Sequence, residues 1–267
     1  MPTPGHMAIS ELCQRDICKY VISQNIDGLH LKSGVPESKI SELHGNTNLE
    51  ICDSCGEKQL RDYRVRTATN VKSHKTGRKC AECSGNLCDS ILNFGEYYDE
   101  DLLDLADQTG QNADVMLCLG SSMRVGIPAG IVSDCSKRKG KIIIVNLQKT
   151  PLDKEAHMVI HCRIQTVMKK VMQKLGIPIP QFTFDRGIDI WVDKKKTLQA
   201  LGMTRESTRY ENFKKMNVNY NSKPHEHQIK FQFFSHYREN NLTVKIPTKY
   251  VEGGKKLKLV MVCDPLK

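Results

Sequence analysis

Residues 114–147 read DVMLCLGSSMRVGIPAGIVSDCSKRKGKIIIVNL, and this stretch decides the fold class. Asp114–Leu119 is an apolar run closed by Gly120-Ser121-Ser122. Lys141–Val145 is a second, closed by Asn146-Leu147. Unbroken runs of this kind suit parallel strands covered on both faces. Between them, Pro128–Ser136 has the spacing of a crossover helix. Strand, helix and parallel strand make a βαβ unit, so the fold class is α/β with a Rossmann-like parallel sheet.

The flanks extend this pattern. Pro2–Asp16 reads as a helix, with Ile9, Leu12 and Cys13 at helical spacing and proline near the first turn. Lys19–Ser23 is a short buried strand, and Ile91–Phe94 has strand-like composition. Asp99–Gln111 is an acidic helix with Leu102, Leu103, Leu105 and Ala106 inward. Val167–Leu175 is an amphipathic helix ended by Gly176 and Pro178. Composition changes after Pro180. Residues 183–192, 228–236, 242–246 and 256–262 alternate apolar with polar or β-branched residues and read as strands, around a polar, lysine-rich stretch at about 194–226.

At 267 residues the chain is long enough for one large domain or two smaller ones. No apolar run approaches the roughly 18 residues of a membrane span, so no membrane partner is expected. The opening MPTPGHMAIS has neither the basic nor the apolar region of a secretory signal. The 11 cysteines are therefore expected in a reducing compartment, where pairs point to metal rather than disulfide. Net charge is +10, of which residues 181–267 hold +8, from 17 Lys/Arg against 9 Asp/Glu. Such a basic end is either a solvated surface or a face for nucleic acid or an acidic partner.

The most specific local signal is Cys52-x2-Cys55 with Cys80-x2-Cys83. Each pair presents two thiolates from a tight turn. Four thiolates make a closed tetrahedral site suited to structural zinc, with folding coupled to the metal. The 24 intervening residues exceed the usual ribbon spacing and include the basic insert RDYRVRTATNVKSHKTGRK. Gly56 and Gly85 allow the bends of the two knuckles. A redox CxxC or four unrelated buried cysteines are the competing readings, and Cys88 reads as structural.

Polar, glycine-bearing segments sit at or after the strand ends: SQNIDGLH (23–30), ISELHG (40–45), FGE (94–96), GSS (120–122) and VNL (145–147). Open α/β sheets bind ligands there, and this composition suits a nucleotide. In this order around the cysteine pairs, these motifs resemble the sirtuins, NAD-dependent protein-lysine deacylases, and most of all their nuclear, class IV branch. The resemblance covers about residues 1–180. It implies an incomplete Rossmann-like sheet with a zinc ribbon inserted at about 49–93, followed by a basic, β-rich or partly disordered region at 181–267.

The resemblance also implies roles. His44 takes the place of the general base. Gln24, Asn25 and Asp27 face the nicotinamide ribose. Gly120, Ser121 and Ser122 contact NAD phosphate or ribose. Asn146, Leu147 and Cys162 lie at the adenosine. Phe94, Gly95 and Glu96 line the channel for the acyl-lysine of a protein substrate, a histone foremost, in the nucleus. Cys52, Cys55, Cys80 and Cys83 hold a zinc ion away from the chemistry. Local readings compete: Ser121 and Ser122 as helix caps, Asp27 as a turn residue, His30 as a satisfied structural histidine, the remaining histidines as surface.

Three departures stand out. No Gly-Ala-Gly-Ile-Ser cradle precedes Pro2-Thr3-Pro4-Gly5-His6-Met7-Ala8, so the chain reads as N-terminally truncated, without its first βα unit, and weak NAD binding is expected. Cys162 stands where the family usually has glycine. Cys88-Asp89-Ser90 replaces an arginine-bearing segment. The alternatives to a deacylase are a catalytically inactive zinc-ribbon scaffold on chromatin or nucleic acid, and a mono-ADP-ribosyltransferase.

Overall fold

A computed structural model describes residues 1–182 except 62, 68 and 69, and beyond them the backbone of seven strands. In chain order the elements are α1 (Pro4–Gln14), β1 (Val21–Ser23), α2 (Leu29–Lys32), β2 (Ile40–Glu42), β3 (Leu49–Cys52), β4 (Lys58–Leu60), β5 (Lys75–Lys79), β6 (Asn86–Asp89), α3 (Glu100–Gln111), β7 (Val115–Leu119), α4 (Gly126–Lys137), β8 (Lys141–Val145), β9 (Met158–Ile160) and α5 (Ile164–Leu175). The seven strands are β10 (Phe184–Val192), β11 (Leu198–Met203), β12 (Arg209–Tyr210), β13 (Phe213–Asn219), β14 (Glu226–Phe233), β15 (Leu242–Pro247) and β16 (Leu257–Cys263). The chain divides into two compact units, Met1–Asn46 with Ile91–Phe182, and Thr47–Ser90 with Thr183–Lys267. Among the described residues no helix is long and apolar enough to cross a membrane.

The first unit contains the expected βαβ unit. β7 pairs in parallel with β8, Val115 opposite Lys141, and β8 in parallel with β9, Ile143 opposite Met158. Ile142 and Ile144 are fully buried and pack with Cys118, Met123, Val132 and Cys135. A second parallel pair joins β1 to β2, Val21 opposite Ile40 and Ser23 opposite Glu42. Helix α1 packs on α5 through Ala8, Leu12, Met168 and Met172. Full burial of each of the three larger side chains contributes about 1.5–3 kcal/mol. Helix α1 begins where the sequence says it should: Pro4 needs no amide partner in the first turn, and the Thr3 N–H donates to His6 Nδ1 at 3.2 Å.

Three expectations fail here. Leu105, expected inward on α3 with Leu102, Leu103 and Ala106, is 43% exposed. Val115 and Leu117 are 54% and 38% exposed, although their run reads as covered on both faces. Among the described residues β7 pairs along one edge only, and its inward residues are Met116 and Cys118. Ile91–Phe94 is not a strand. The Leu92 N–H donates to the His44 carbonyl at 3.0 Å, and the chain turns at once through Phe94 and Gly95. The Leu92 amide goes to the ELHG loop and the Asn93 amide to the Glu96 carboxylate, so neither enters a ladder.

In the second unit, β4, β3, β6 and β5 form an antiparallel sheet in that order. The Glu50 carboxylate is fully buried at its centre. It accepts from Arg61 Nε at 2.7 Å, Arg78 Nε at 2.6 Å and the Thr76 hydroxyl at 2.6 Å. A buried charge is tolerable only when paired and hydrogen-bonded in this way. The later strands make two antiparallel sheets, β12-β11-β10-β16 and β13-β14-β15. Four of them overlap the expected strands. β11, β12 and β13 lie within the polar stretch where none was expected. Residues 183, 234–236 and 256 of the expected strands lie outside the described residues.

Candidate functional site

The Sγ atoms of Cys52, Cys55, Cys80 and Cys83 all lie within 4.8 Å of one another. Cys52 and Cys83 are 3.4 Å apart, Cys55 and Cys80 3.8 Å. Tetrahedral zinc with bonds of about 2.3 Å sets its sulfurs about 3.8 Å apart, so the four cysteines are arranged to hold a zinc ion. Amides of Ser54 and Gly85 point at Cys52 and Cys83, each at 3.4 Å. Backbone amides, chiefly that of Cys55 and then that of Ser54, bring the Cys52 thiol down to about 7, while at Cys55 and Cys83 the backbone amides are outweighed and crowding by the neighbouring thiols pushes both up. At Gly85 a Cβ would lie 2.8 Å from Cys52 Sγ, so the second knuckle requires glycine.

In the first unit, strands β1 and β2 end side by side, and the Leu43 N–H donates to the Ser23 carbonyl at 2.9 Å. The loops that follow therefore leave together. His44 Nδ1 lies 2.9 Å from the Gln24 carbonyl oxygen. A carbonyl only accepts, so Nδ1 carries the proton, and in the neutral ring Nε2 is the accepting nitrogen. The Tyr98 hydroxyl lies 3.4 Å from Nε2. The Gln24 amide donates to Ser121 Oγ at 3.5 Å, which ties the end of β1 to the end of β7. From there the Gly120 N–H donates to the Val145 carbonyl, and the Asn146 and Cys162 amides both donate to Ile160. Gln24, His44 and Ser121 are thus brought together, and Gly120, Asn146 and Cys162 lie in a row at the carboxyl ends of β7, β8 and β9.

The other expected site residues are placed less tightly. Asn25, Asp27, Ser122 and Leu147 are exposed. Asp27 also serves its turn, accepting from the Leu29 N–H at 3.0 Å. Ser121 and Ser122 do not cap α4, whose N-cap is Val125. The Glu96 carboxylate turns back to accept from the amide and side chain of Asn93, at 2.7 and 3.0 Å. That bond closes a tight turn on which Phe94, Gly95 and Tyr97 stand exposed.

Several residues not expected at the site stand near the Asp27 turn. His30 is not a satisfied histidine: its Nδ1 is buried without a partner. Burial, and then the neighbouring His6, lower it to about 4. His6 is not a surface residue either; it is half-buried, and its ring lies 4.9 Å from that of His30. Glu42 accepts from Asn46 Nδ2 at 2.7 Å, and burial raises its carboxyl to about 7, with the Asp27 charge adding to the effect. Asn46 is fully buried and lies against Gly28, where φ is +66° and a Cβ would sit 2.6 Å from Asn46 Oδ1. Only glycine meets both demands, and this turn presents Asn25 and Asp27. Tyr98 also borders the site, through its hydroxyl beside His44 Nε2, and nothing in the sequence pattern marks it.

Parallel strands with polar, glycine-bearing carboxyl ends, carried on a chain with a closed four-thiolate module, define a zinc-bearing Rossmann-like protein. The chain belongs to the Sir2 family, whose profile matches residues 1–127. It is 44% identical over 184 residues to the NAD-dependent protein deacetylase SRT1 of Arabidopsis thaliana, which covers 68% of this chain and 38% of that one. To the human NAD-dependent protein deacetylase sirtuin-7 it is 40% identical over 190 residues, covering 68% and 48%. A solved Sir2–p53 peptide–NAD+ complex superposes with a TM-score of 0.53 at 31% identity, covering 66% of this chain and 71% of that one. The chain spans less than half the length of these two curated relatives.

Proposed function

We propose that this chain performs NAD-dependent deacylation of acetylated lysine in a protein, releasing nicotinamide and O-acyl-ADP-ribose. The observation that carries the reading is the His44 imidazole at the end of a parallel strand pair, its Nδ1 proton held by the Gln24 carbonyl so that Nε2 is the accepting nitrogen. The names of the relatives and the peptide–NAD+ complex of a structural neighbour support it.

The donors fit such a cofactor: an amide at Gln24, hydroxyls at Ser121 and Ser122, the Gly120 turn, and polar backbone at Asn146 and Cys162. NAD, when bound, supplies the ribose carbon that takes the acyl oxygen as nicotinamide leaves. His44 Nε2 takes the proton of a ribose hydroxyl, and the bond to Gln24 keeps the ring in the tautomer that can accept it. Gln24 and Ser121 orient that hydroxyl. Asn25 and Asp27 hold the nicotinamide end from their exposed turn. Leu147 borders the adenosine end. The turn bearing Phe94 and Gly95, closed by Glu96, offers an edge to an extended peptide. The zinc module is structural.

The substrate we favour is histone or another nuclear protein, with nucleic acid contacted through the basic residues 181–267. The likeness to sirtuin-7 and the +8 charge of that region support this. The test is mass spectrometry of an acetylated histone peptide incubated with NAD and the chain, with nicotinamide measured in parallel. Deacylation that His44→Ala abolishes is expected. No nicotinamide release from wild type, with salt-sensitive nucleic-acid binding, would overturn the reading in favour of a scaffold.

A further inference from the structure

The mechanism leaves one polar group beside the base without a task. Tyr98 directs its hydroxyl at His44 Nε2, 3.4 Å away, with ring centroids 6.0 Å apart and the planes tilted by 42°. Its ring packs on the cluster of Leu43, Ala106 and Ile131. Phenylalanine would fill that space as well, so packing does not account for the hydroxyl. The residue is also held firmly from its other side. Asp99, next in sequence, caps α3 by accepting from the Leu102 N–H at 3.1 Å, which fixes the chain at the point where Tyr98 leaves it.

The donor roles follow without choice. Nδ1 of His44 must donate to the Gln24 carbonyl, so Nε2 accepts, and the phenol supplies the O–H. The separation is longer than an ideal O–H···N bond, as unliganded sites commonly are before they tighten around substrate. We propose that Tyr98 is a positioning residue for His44: before substrate arrives it pins, with the Gln24 carbonyl, both nitrogens of the imidazole so that the ring cannot turn about its stem; the substrate hydroxyl then displaces its O–H from the single Nε2 lone pair, and its oxygen accepts a hydrogen bond from Nε2–H once the base has been protonated. The proton itself passes from the substrate hydroxyl to Nε2. Tyr98 neither gains nor loses one in the cycle. The inference rests on the deacylase reading for its kinetic consequence, but the hydrogen bond is open to test without it.

The variant is Tyr98→Phe, which keeps the ring and removes the oxygen. Two measurements are made on the full chain. Long-range 15N–1H correlation of the histidine side chains reads the tautomer directly. Wild type is expected to show His44 with a protonated Nδ1 and a hydrogen-bonded, unprotonated Nε2. In Tyr98→Phe the Nε2 resonance moves toward that of a free pyridine-type nitrogen while the other histidines stay in place. Steady-state deacylation reads the consequence. kcat falls roughly 3- to 10-fold, the value of one ordinary hydrogen bond felt by the base. KM for peptide and for NAD stays within about twofold. An Nε2 resonance indifferent to the substitution, a protonated Nε2 in wild type, or an unchanged kcat would overturn the proposal. So would a raised KM at constant kcat. Wild type without activity on acylated peptide would defeat the deacylase reading, and the nitrogen spectrum would still decide the link between Tyr98 and His44.

Discussion

Replacing Glu50 with alanine should loosen the zinc module more than any other single change away from the cysteines. Glu50 is fully buried, Arg61 is 8% exposed and Arg78 29%. Removing the carboxylate takes the counter-charge from two guanidinium groups, whose remaining hydrogen bonds go to the Gln59 side chain (Arg61) and the Val65 carbonyl (Arg78). The Thr76 hydroxyl is the lesser loss, because it retains the Leu87 carbonyl at 3.1 Å. Breaking a buried ion pair by deleting one partner costs about 3–5 kcal/mol, and the partial solvation of Arg78 favours the lower end. Where a module folds around its metal, folding energy lost is metal affinity lost. A loss of about 3 kcal/mol corresponds to zinc held on the order of 100-fold more weakly. Competition with a chromogenic zinc chelator measures this, with Cys52→Ser as the reference for complete loss. Glu50→Gln keeps one acceptor oxygen and should fall between wild type and alanine. Zinc retention within about threefold of wild type in Glu50→Ala would mean that the network contributes little and that the coordination alone holds the sheet.

Two further outcomes are expected. Gly28→Ala places a Cβ at φ +66° against Asn46 Oδ1 and should cost about 1–2 kcal/mol, together with a loss of deacylation; an unchanged melting temperature would show that the turn adjusts freely. The pH dependence of melting should be two-sided. His30 is lowered to about 4, so the unfolded chain takes up its proton first, and stability present above the usual histidine range is lost as pH falls toward 4. Glu42 is raised to about 7, so its contribution is full below the usual carboxylate range and is lost as pH rises through 7. His30→Phe should flatten the acid side and Glu42→Gln the alkaline side, read as melting temperature against pH; variants that track wild type at every pH would contradict both assignments.

The legible parts of the fold were those set by local pattern. The run of β7, α4 and β8, the helical faces of α1 and α5, and the paired CxxC spacing each carry their signal within a dozen residues or a fixed repeat. What the pattern could not show depends on partners far along the chain. Ile91–Phe94 has strand composition, but its backbone is taken by His44, some 50 residues earlier. Val115 and Leu117 read as interior because apolar content reports the preference of a strand and not whether a neighbour arrives to cover it. Glu50 reads as one more surface acid until Arg61, Thr76 and Arg78 close on it from two other segments. At the candidate site, His44 and Gln24 were legible from motif order. Tyr98, Asn46 and the paired rings of His6 and His30 were not, because each acts through a contact that crosses between elements.

The half-open face of β7 has a consequence for the molecule in solution. Among the described residues its amides and carbonyls are paired along one side only, with two aliphatic side chains turned to water, and such an edge is a template onto which a further strand can add. At the concentrations of expression and purification the nearest supply of strands is another molecule of the same kind. A second copy pairing along the β7 edge of the described residues would lie a few residues from Gly120 and Ser121 at the strand's own carboxyl end.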